Sequence, residues 1–340
     1  MENLYIIGNE RISKNNNIFY SENIDFKTIV EGLRNSFNLT LVARESFKKE
    51  NFIINHNNIF LAKNCFSYLI KIFFSFNRIK KNKYLFVSIS PYSFLAYLFI
   101  FLFTNKIYVY LRSDGFKEYE NILGKKWVFL YKIMFYVMTR KSKIISCQRK
   151  LSRGRPSYLV RPSELDEMWI NNKKKFNLNT KTIRLLYVGR IRTEKGIFNL
   201  LNIFSKLEHK IKLTIVGDRR IKLFNNYNIK FYNFFSKSKD LIKQYDKCHI
   251  FILPSYTEAH PKVIDESLSR FKPVIIFDDI KHIVAHRIGI FICKRNPSDL
   301  KNKIYYIHKN YSKIVNNISN NILPTKKIFL QNLNKIITYR

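Results

Sequence analysis

The sequence predicts an α/β protein built as two doubly wound domains, and three observations predict it. Short apolar runs alternate with longer stretches of helical period, the alternation occurs twice, and a polar, proline-bearing segment separates the two sets. The 340 residues suit two domains at about 150 residues each. With 46% hydrophobic residues, including 30 Phe and 21 Tyr, the chain can build a large core, which excludes a disordered protein. Nine Gly and eight Pro exclude a collagen-like or low-complexity architecture.

In the first half, strands are expected at Leu4–Ile7, Leu39–Ala43, Tyr84–Ser90, Ile107–Leu111 and Ile144–Cys147, with helices over 26–37, 64–77, 92–103 and 125–140. In the last of these helices Phe129, Ile133, Tyr136 and Val137 recur at helical spacing. The stretch Tyr84–Phe103 has the length of a membrane span, but Ser88, Ser90, Pro91 and Ser93 interrupt it. It therefore reads as a buried strand, a proline turn and a buried helix. Trp127–Met138 is too short to span and contains Lys132. Both stretches also suit an interfacial face, with aromatics at headgroup depth and Lys/Arg around them.

Gly154, Pro156 and Pro162 precede the polar run NNKKKFNLNTK, which reads as a linker. A second set of strands follows at Arg184–Val188, Lys212–Val216, Ile229–Tyr232, His249–Leu253, Pro273–Phe277 and Gly289–Cys293. Helices are expected over 195–207, 238–246, 261–270 and 298–308, and 312–337 reads as a helix that packs back on the first domain. The division is thus a domain over 1–160, a linker over 161–182, a domain over 183–311 and a helical segment over 312–340.

The 61 Lys+Arg exceed the 24 Asp+Glu by 37. The excess is +16 over residues 1–160 (26 basic, 10 acidic) and +21 over 161–340 (35 basic, 14 acidic), uniform and with no basic tail or single patch. A solvated surface rich in Lys accounts for this, as does attraction to an anionic membrane or a phosphate-bearing substrate. With no RRM, zinc-finger or KH signature, nucleic acid is not an expected partner. Four scattered cysteines form no CxxC pair, so neither a disulfide scaffold nor a zinc site is indicated, and MENLYIIGNE does not read as a signal peptide. A cytoplasmic setting is the default.

Two motifs carry chemistry. In LLYVGRIRTEKG (185–196) an apolar strand ends at Gly189, where the missing side chain lets backbone approach a ligand. Arg190 and Lys195 then present two cations near a helix start, an arrangement suited to a diphosphate. In LPSYTEAHPKVIDE (253–266) Glu258 falls in the loop after a strand and Glu266 within the next helix. Two such carboxylates can accept hydrogen bonds from vicinal diols, while the amides of Ala259, His260 and Lys262 can receive phosphate or sugar oxygens. Asp278 and Asp279 read as strand-end turn residues, and His249, His282 and His286 as packing or surface residues.

At VGRIRTEKG (188–196), KLTIVGD (212–218) and PSYTEAHPKVIDESLSRFKPVI (254–275) the sequence resembles the retaining glycosyltransferases of the GT-B fold, close to glycosyltransferase family 4. The resemblance covers roughly 184–305 and implies two Rossmann-like domains facing a cleft, the first binding the acceptor and the second a nucleotide-sugar donor. It implies that Gly189, Arg190 and Lys195 hold the donor diphosphate and that Glu258, Ala259 and His260 meet the donor sugar. It places Glu266 on the ribose, with the loop after VGD and Phe235–Ser236 near the nucleobase. Glu258, Arg190 and Lys195 are the catalytic candidates. Ala259 stands where family members often carry Gly, and the end of YLRSDG offers Arg112 and Asp114 as acceptor-side candidates.

The implied reaction moves a sugar to a hydroxyl of a lipid-linked saccharide or cell-surface polysaccharide, with retention and with no cofactor or metal. The enzyme would work in the cytoplasm, peripheral on the inner face of the membrane. Two other readings compete: transfer to a membrane glycerolipid, and a non-catalytic basic binder of nucleic acid or other anions.

Overall fold

The computed structural model describes residues 1–48, 50–73, 81–171, 182–217 and 228–339. They form two compact units, Met1–Pro162 with Lys326–Arg340, and Ser163–Thr325.

The first unit contains strands β1 (Glu2–Asn15), β2 (Ile18–Ser21), β3 (Phe37–Glu45), β4 (Phe52–Ile54), β5 (Ile59–Ala62), β6 (Lys83–Val87), β7 (Ile107–Leu111), β8 (Lys143–Ser146) and β9 (Ser157–Leu159). Its helices are α1 (Ile24–Leu33), α2 (Cys65–Phe73), α3 (Pro91–Ile100), α4 (Gly115–Leu123) and α5 (Val128–Met138). The parallel strands run β5-β3-β1-β6-β7-β8-β9, so the order reverses between β1 and β6. Every residue of β6 and β7 is buried, as strands covered on both faces must be.

One departure from the expected all-parallel sheet is local. β1 does not stop at Ile7 but runs to Asn15, turns through Asn16 and Asn17 (φ 46° and 60°), and returns as antiparallel β2, which pairs with β4. Asparagine tolerates positive φ, and a two-residue turn of this kind matches the twist of the strands it joins. The interrupted stretch after β6 is a strand, a turn and a helix: Ser90 Oγ accepts from the Ser93 amide (3.2 Å), Ser93 Oγ accepts from the Ser90 amide (2.8 Å), and Pro91 opens α3. Among the described residues no helix is long and apolar enough to cross a membrane.

The second unit contains β10 (Ile183–Val188), β11 (Ile211–Val216), β12 (Ile229–Tyr232), β13 (Ile250–Leu253), β14 (Val274–Phe277) and β15 (Ile290–Cys293). Around them lie α6 (Glu167–Ile170), α7 (Ile197–Phe204), α8 (Ser238–Lys247), α9 (Lys262–Ser269), α10 (Pro297–Lys309) and α11 (Tyr311–Ile318). All six strands are parallel in the order β12-β11-β10-β13-β14-β15, that of a doubly wound nucleotide-binding sheet.

Part of the segment expected as a linker belongs to this unit. Asp166 caps α6, and Trp169 is buried edge-on against Tyr245 with ring centroids 5.4 Å apart. A side chain of that size gains too much from burial to be left in a solvated tether. Residues 172–181 of the expected linker lie outside the described residues.

The single helix expected over 312–337 is two, α11 and α12 (Lys326–Thr338), with Pro324 between them. α12 packs in the first unit. Phe329, Leu333 and Ile337, on one face, enter its core, and Gly32 of α1 lets Leu330 approach where a Cβ would collide. Lys83 Nζ donates to the carbonyls of Ile337 (2.8 Å) and Thr338 (3.2 Å), placing a cation at the negative end of the helix.

Candidate active site in the second unit

Where the order of a parallel sheet reverses, the helices leave to opposite faces and a crevice opens beyond the carboxyl ends of the two strands. In the second unit these strands are β10 and β13, and both sequence motifs begin there.

β10 hands the chain to Gly189. The Tyr187 hydroxyl donates to the Arg190 carbonyl (2.8 Å) and so folds the turn. A Cβ on Gly189 would stand 2.7 Å from that hydroxyl, and one on Gly217 would strike the Gly189 carbonyl oxygen. Burial, and then the negative charge of Glu258, raises the Tyr187 phenol above its ordinary value, which keeps it a donor. The Arg190 side chain is exposed and makes no hydrogen bond or ion pair among the described residues.

Thr193–Lys195 form one 3₁₀ turn, Gly196 takes φ 65°, and α7 starts only at Ile197, two residues later than expected. The turn sets Lys195 Nζ 2.7 Å from Glu258 Oε1, which also accepts from Ser255 Oγ at 2.7 Å. The pair is 21% and 12% exposed, and Glu258 Oε2 takes part in no hydrogen bond or ion pair among the described residues. Gly196 is needed twice: its φ is left-handed, and a Cβ would be driven into the Pro254 carbonyl oxygen. Gly196→Ala should cost at least about 1 kcal/mol of stability and displace Pro254. A lowered urea midpoint and weakened nucleotide binding check this; an unchanged midpoint contradicts it.

After β13, residues 254–260 form no helix, Pro261 precedes α9, and Lys262 is its first residue. The amides of Ala259 and His260 donate no hydrogen bond within the described chain. His260 and Asp265 are held together: Arg287 donates to Asp265 Oδ1 (2.7 Å) and to His260 Nδ1 (3.2 Å), and His260 Nε2 lies 3.1 Å from Asp265 Oδ2. Burial works to raise the Asp265 carboxyl, but His260 and Arg287 outweigh it and hold it below its ordinary value.

Glu266, in the middle of α9, is only 6% exposed and accepts from the Tyr245 hydroxyl at 2.9 Å. Burial pushes its carboxyl up to about 7, against the opposing pull of Lys262.

Several site residues were not legible in the motifs. Arg295 bridges the loop: Nη2 donates to the carbonyls of Pro254 (2.8 Å) and Ser255 (3.0 Å), Nε donates to Asp279 (2.6 Å), and the guanidinium stacks 3.9 Å from the Tyr256 ring centroid. Asp279 is a turn residue as expected, and also the anchor for Arg295. His282, expected to pack or face solvent, places Nε2 3.0 Å from the Glu258 carbonyl oxygen. A cation just beyond an apolar strand was the available signal: Arg295 follows β15 much as Arg190 follows β10. Of the nucleobase candidates, Phe235 packs on Tyr232 (5.9 Å between centroids), while the loop over 218–227 lies outside the described residues.

The acceptor-side candidates lie in the first unit. Arg112, just beyond β7, is half-buried and paired with Glu10, with Asp25 at 4.0 Å and Ser88 Oγ at 3.3 Å. Asp114 faces Arg153 at 3.4 Å. Both are therefore engaged with the protein itself. Nearby lies an open groove of about 320 Å³ lined by Asn9, Arg44, Tyr92, Glu118, Ile122 and Leu123 among others. In that lining Arg44 stacks over Tyr92 (4.6 Å) and donates to Asn9 (3.3 Å).

Residues 170–322, which contain every donor-side candidate, match the family described as Glycosyl transferases group 1. The chain is a glycosyltransferase enzyme on a two-domain GT-B fold. An uncharacterized 41.2 kDa protein in the cps region of Klebsiella pneumoniae is 23% identical over 267 residues, 77% of this chain and 70% of that one. The N,N'-diacetylbacillosaminyl-diphospho-undecaprenol alpha-1,3-N-acetylgalactosaminyltransferase of Campylobacter jejuni is 24% identical over 38% of this chain and 36% of its own. Two solved structures share the fold over nearly the whole chain. Sucrose-phosphate synthase from Thermosynechococcus elongatus is 13% identical, with TM-score 0.71 over 99% of this chain and 98% of that one. Anabaena Alr3699/HepE in complex with UDP-glucose is 12% identical, with TM-score 0.67 over the same shares.

Proposed function

We propose that this glycosyltransferase moves a sugar from a nucleoside-diphosphate-sugar donor, held by the second unit, to a hydroxyl of a lipid-linked saccharide or growing cell-surface polysaccharide. The reaction retains the anomeric configuration, calls on no metal, and takes place on the cytoplasmic face of the membrane. The observation that carries the donor half is the switch point itself. Lys195 paired to Glu258, the exposed Arg190 guanidinium and the unused amides of Ala259 and His260 all belong to the segments that follow β10 and β13.

When the bond between the anomeric carbon and the diphosphate oxygen breaks, its electron pair leaves with the nucleoside diphosphate. Lys195 and Arg190 would stabilise that growing charge, with Gly189 allowing close approach. Glu258, with Oε2 free, would accept from donor sugar hydroxyls and Glu266 from the ribose. The acceptor oxygen forms the new bond to the anomeric carbon and its proton is released. Arg112 and Asp114 would shape the acceptor side through the end of β7 rather than by touching the acceptor. The name of the Campylobacter relative, which gives a diphospho-undecaprenol-linked sugar as acceptor, supports a lipid-linked saccharide acceptor, and the UDP-glucose bound to the Anabaena neighbour supports the donor class.

A thermal-shift panel of UDP, GDP, ADP and CMP and their sugars, with EDTA present, tests the reading. A ligand at a hundredfold excess over Kd stabilises the folded state by about 2.7 kcal/mol. One nucleotide should raise the midpoint, and Arg190→Ala should abolish the rise. No shift from any nucleotide, together with tight DNA binding, would favour the non-catalytic anion binder.

A further inference from the structure

We infer that Arg287 and Asp265 are positioning residues for the donor sugar: they grip the side chain of His260 and so aim the amides of Ala259 and His260 at the sugar. The inference rests on the donor reading above. A histidine in a ligand-binding loop ordinarily meets its ligand through the ring. Here the ring is turned inward. The side chain is only 4% exposed although the residue as a whole is half-buried, so what His260 shows to solvent is backbone.

The grip uses all three nitrogens of one guanidinium. Arg287 Nε donates to Asp265 Oδ1 (2.7 Å), Nη1 to the Ile283 carbonyl (2.7 Å), and Nη2 to His260 Nδ1 (3.2 Å) and Asp265 Oδ2 (3.3 Å). A guanidinium can only donate, so Nδ1 accepts. The proton of the neutral ring then sits on Nε2, which lies 3.1 Å from Asp265 Oδ2. Asp265 belongs to α9 and Arg287 to the connection between β14 and β15. That connection also supplies His282, whose Nε2 is 3.0 Å from the Glu258 carbonyl oxygen. The loop is thus held on both sides of Ala259, and the amides of Ala259 and His260 are left without a hydrogen-bond acceptor in the described chain. The Arg287 and Asp265 side chains are 9% and 3% exposed. An ion pair buried so deeply adds little to stability beyond what apolar side chains of the same volume would give. It does fix one geometry, and donors oriented on folding bind a ligand without a further ordering cost.

The test is calorimetric titration of the whole protein with UDP and with UDP-glucose, or with the nucleotide and nucleotide sugar that the thermal-shift panel selects. His260→Ala keeps the backbone amide and leaves Arg287 paired to Asp265, but removes the anchor. It should weaken the nucleotide sugar about tenfold, the worth of one misaimed hydrogen bond, and the bare nucleotide at most about twofold. His260→Asn restores an acceptor near the position of Nδ1 and should recover most of the loss. Arg287→Lys keeps a cation beside Asp265, yet one ammonium cannot span Asp265, His260 and Ile283, so it should show the same selective loss. Thermal unfolding of each variant accompanies the titrations. Equal weakening of both ligands with a lowered midpoint would make the cluster a structural support and overturn the inference. So would a folded His260→Ala that binds the nucleotide sugar as the unaltered protein does. In both of these cases the unaltered protein still binds its nucleotide, so the donor reading stands. An unaltered protein that binds neither ligand would remove the donor reading, and the inference with it.

Discussion

Lys195→Ala should lower kcat by roughly a hundred- to a thousandfold, the loss of about 2.7–4 kcal/mol expected when one preorganised charge-stabilising donor is removed. The KM for the donor should change far less, because the interaction strengthens only as charge accumulates on the leaving diphosphate. The fold should persist. Lys195 and Glu258 keep some solvent access, and a partly exposed ion pair contributes only about 0–1 kcal/mol. Ser255 still donates to Glu258 in the variant, so the carboxylate is not stranded. Steady-state kinetics beside thermal unfolding separate the cases. A folded variant with unchanged turnover contradicts the assignment of Lys195 to the diphosphate. A parallel rise in KM with kcat intact would make it a ground-state binder only.

What the sequence revealed follows from how local each signal is. The six parallel strands of the second unit stand within a residue of expectation because each is a short apolar run bounded by polar residues. α4 carries no apolar period to mark it, because GFKEYENIL buries only Gly115 fully. It is placed by Phe116 and Tyr119, whose rings pack on Tyr131 at 4.9 and 5.0 Å, contacts that periodicity does not register. The hairpin after β1 turns on Asn16-Asn17, a local signal that the alternation of apolar runs does not contain. The site shows the same division. Gly189, Arg190, Lys195 and Glu258 sit in contiguous motifs, whereas Arg295 reaches carbonyls some forty residues earlier in the chain. Arg112 was visible as a residue, but the carboxylate that occupies it, Glu10, lies about a hundred residues away. Pairings of that span are set by sheet order rather than by spacing.

Glu266→Gln should make the protein more stable at pH 8 and, at the same pH, a weaker donor binder. The folded carboxyl titrates at about 7 against an ordinary 4.5, because burial disfavours its charge. Between those two pH values the folded state holds a proton that the unfolded state has released. Stability therefore falls as pH rises through that window and is level above it, a loss of roughly 3 kcal/mol from this one group. Glutamine keeps an oxygen that can accept from Tyr245 but has no charge to bury, so the slope of unfolding midpoint against pH between 5 and 7 should flatten. Donor affinity should move the other way. In the unaltered protein it should rise as the carboxylate ionises near pH 7, and in the variant it should be lower by about tenfold, the worth of one hydrogen bond to a charged acceptor. Calorimetric titration with the nucleoside diphosphate across the same pH range measures this. Wild-type affinity in the variant would remove Glu266 from the ribose, and an unchanged stability slope would place the titration on another group. If both effects appear, the carboxylate destabilises the empty fold and is offset only when a ligand's hydroxyls reach it.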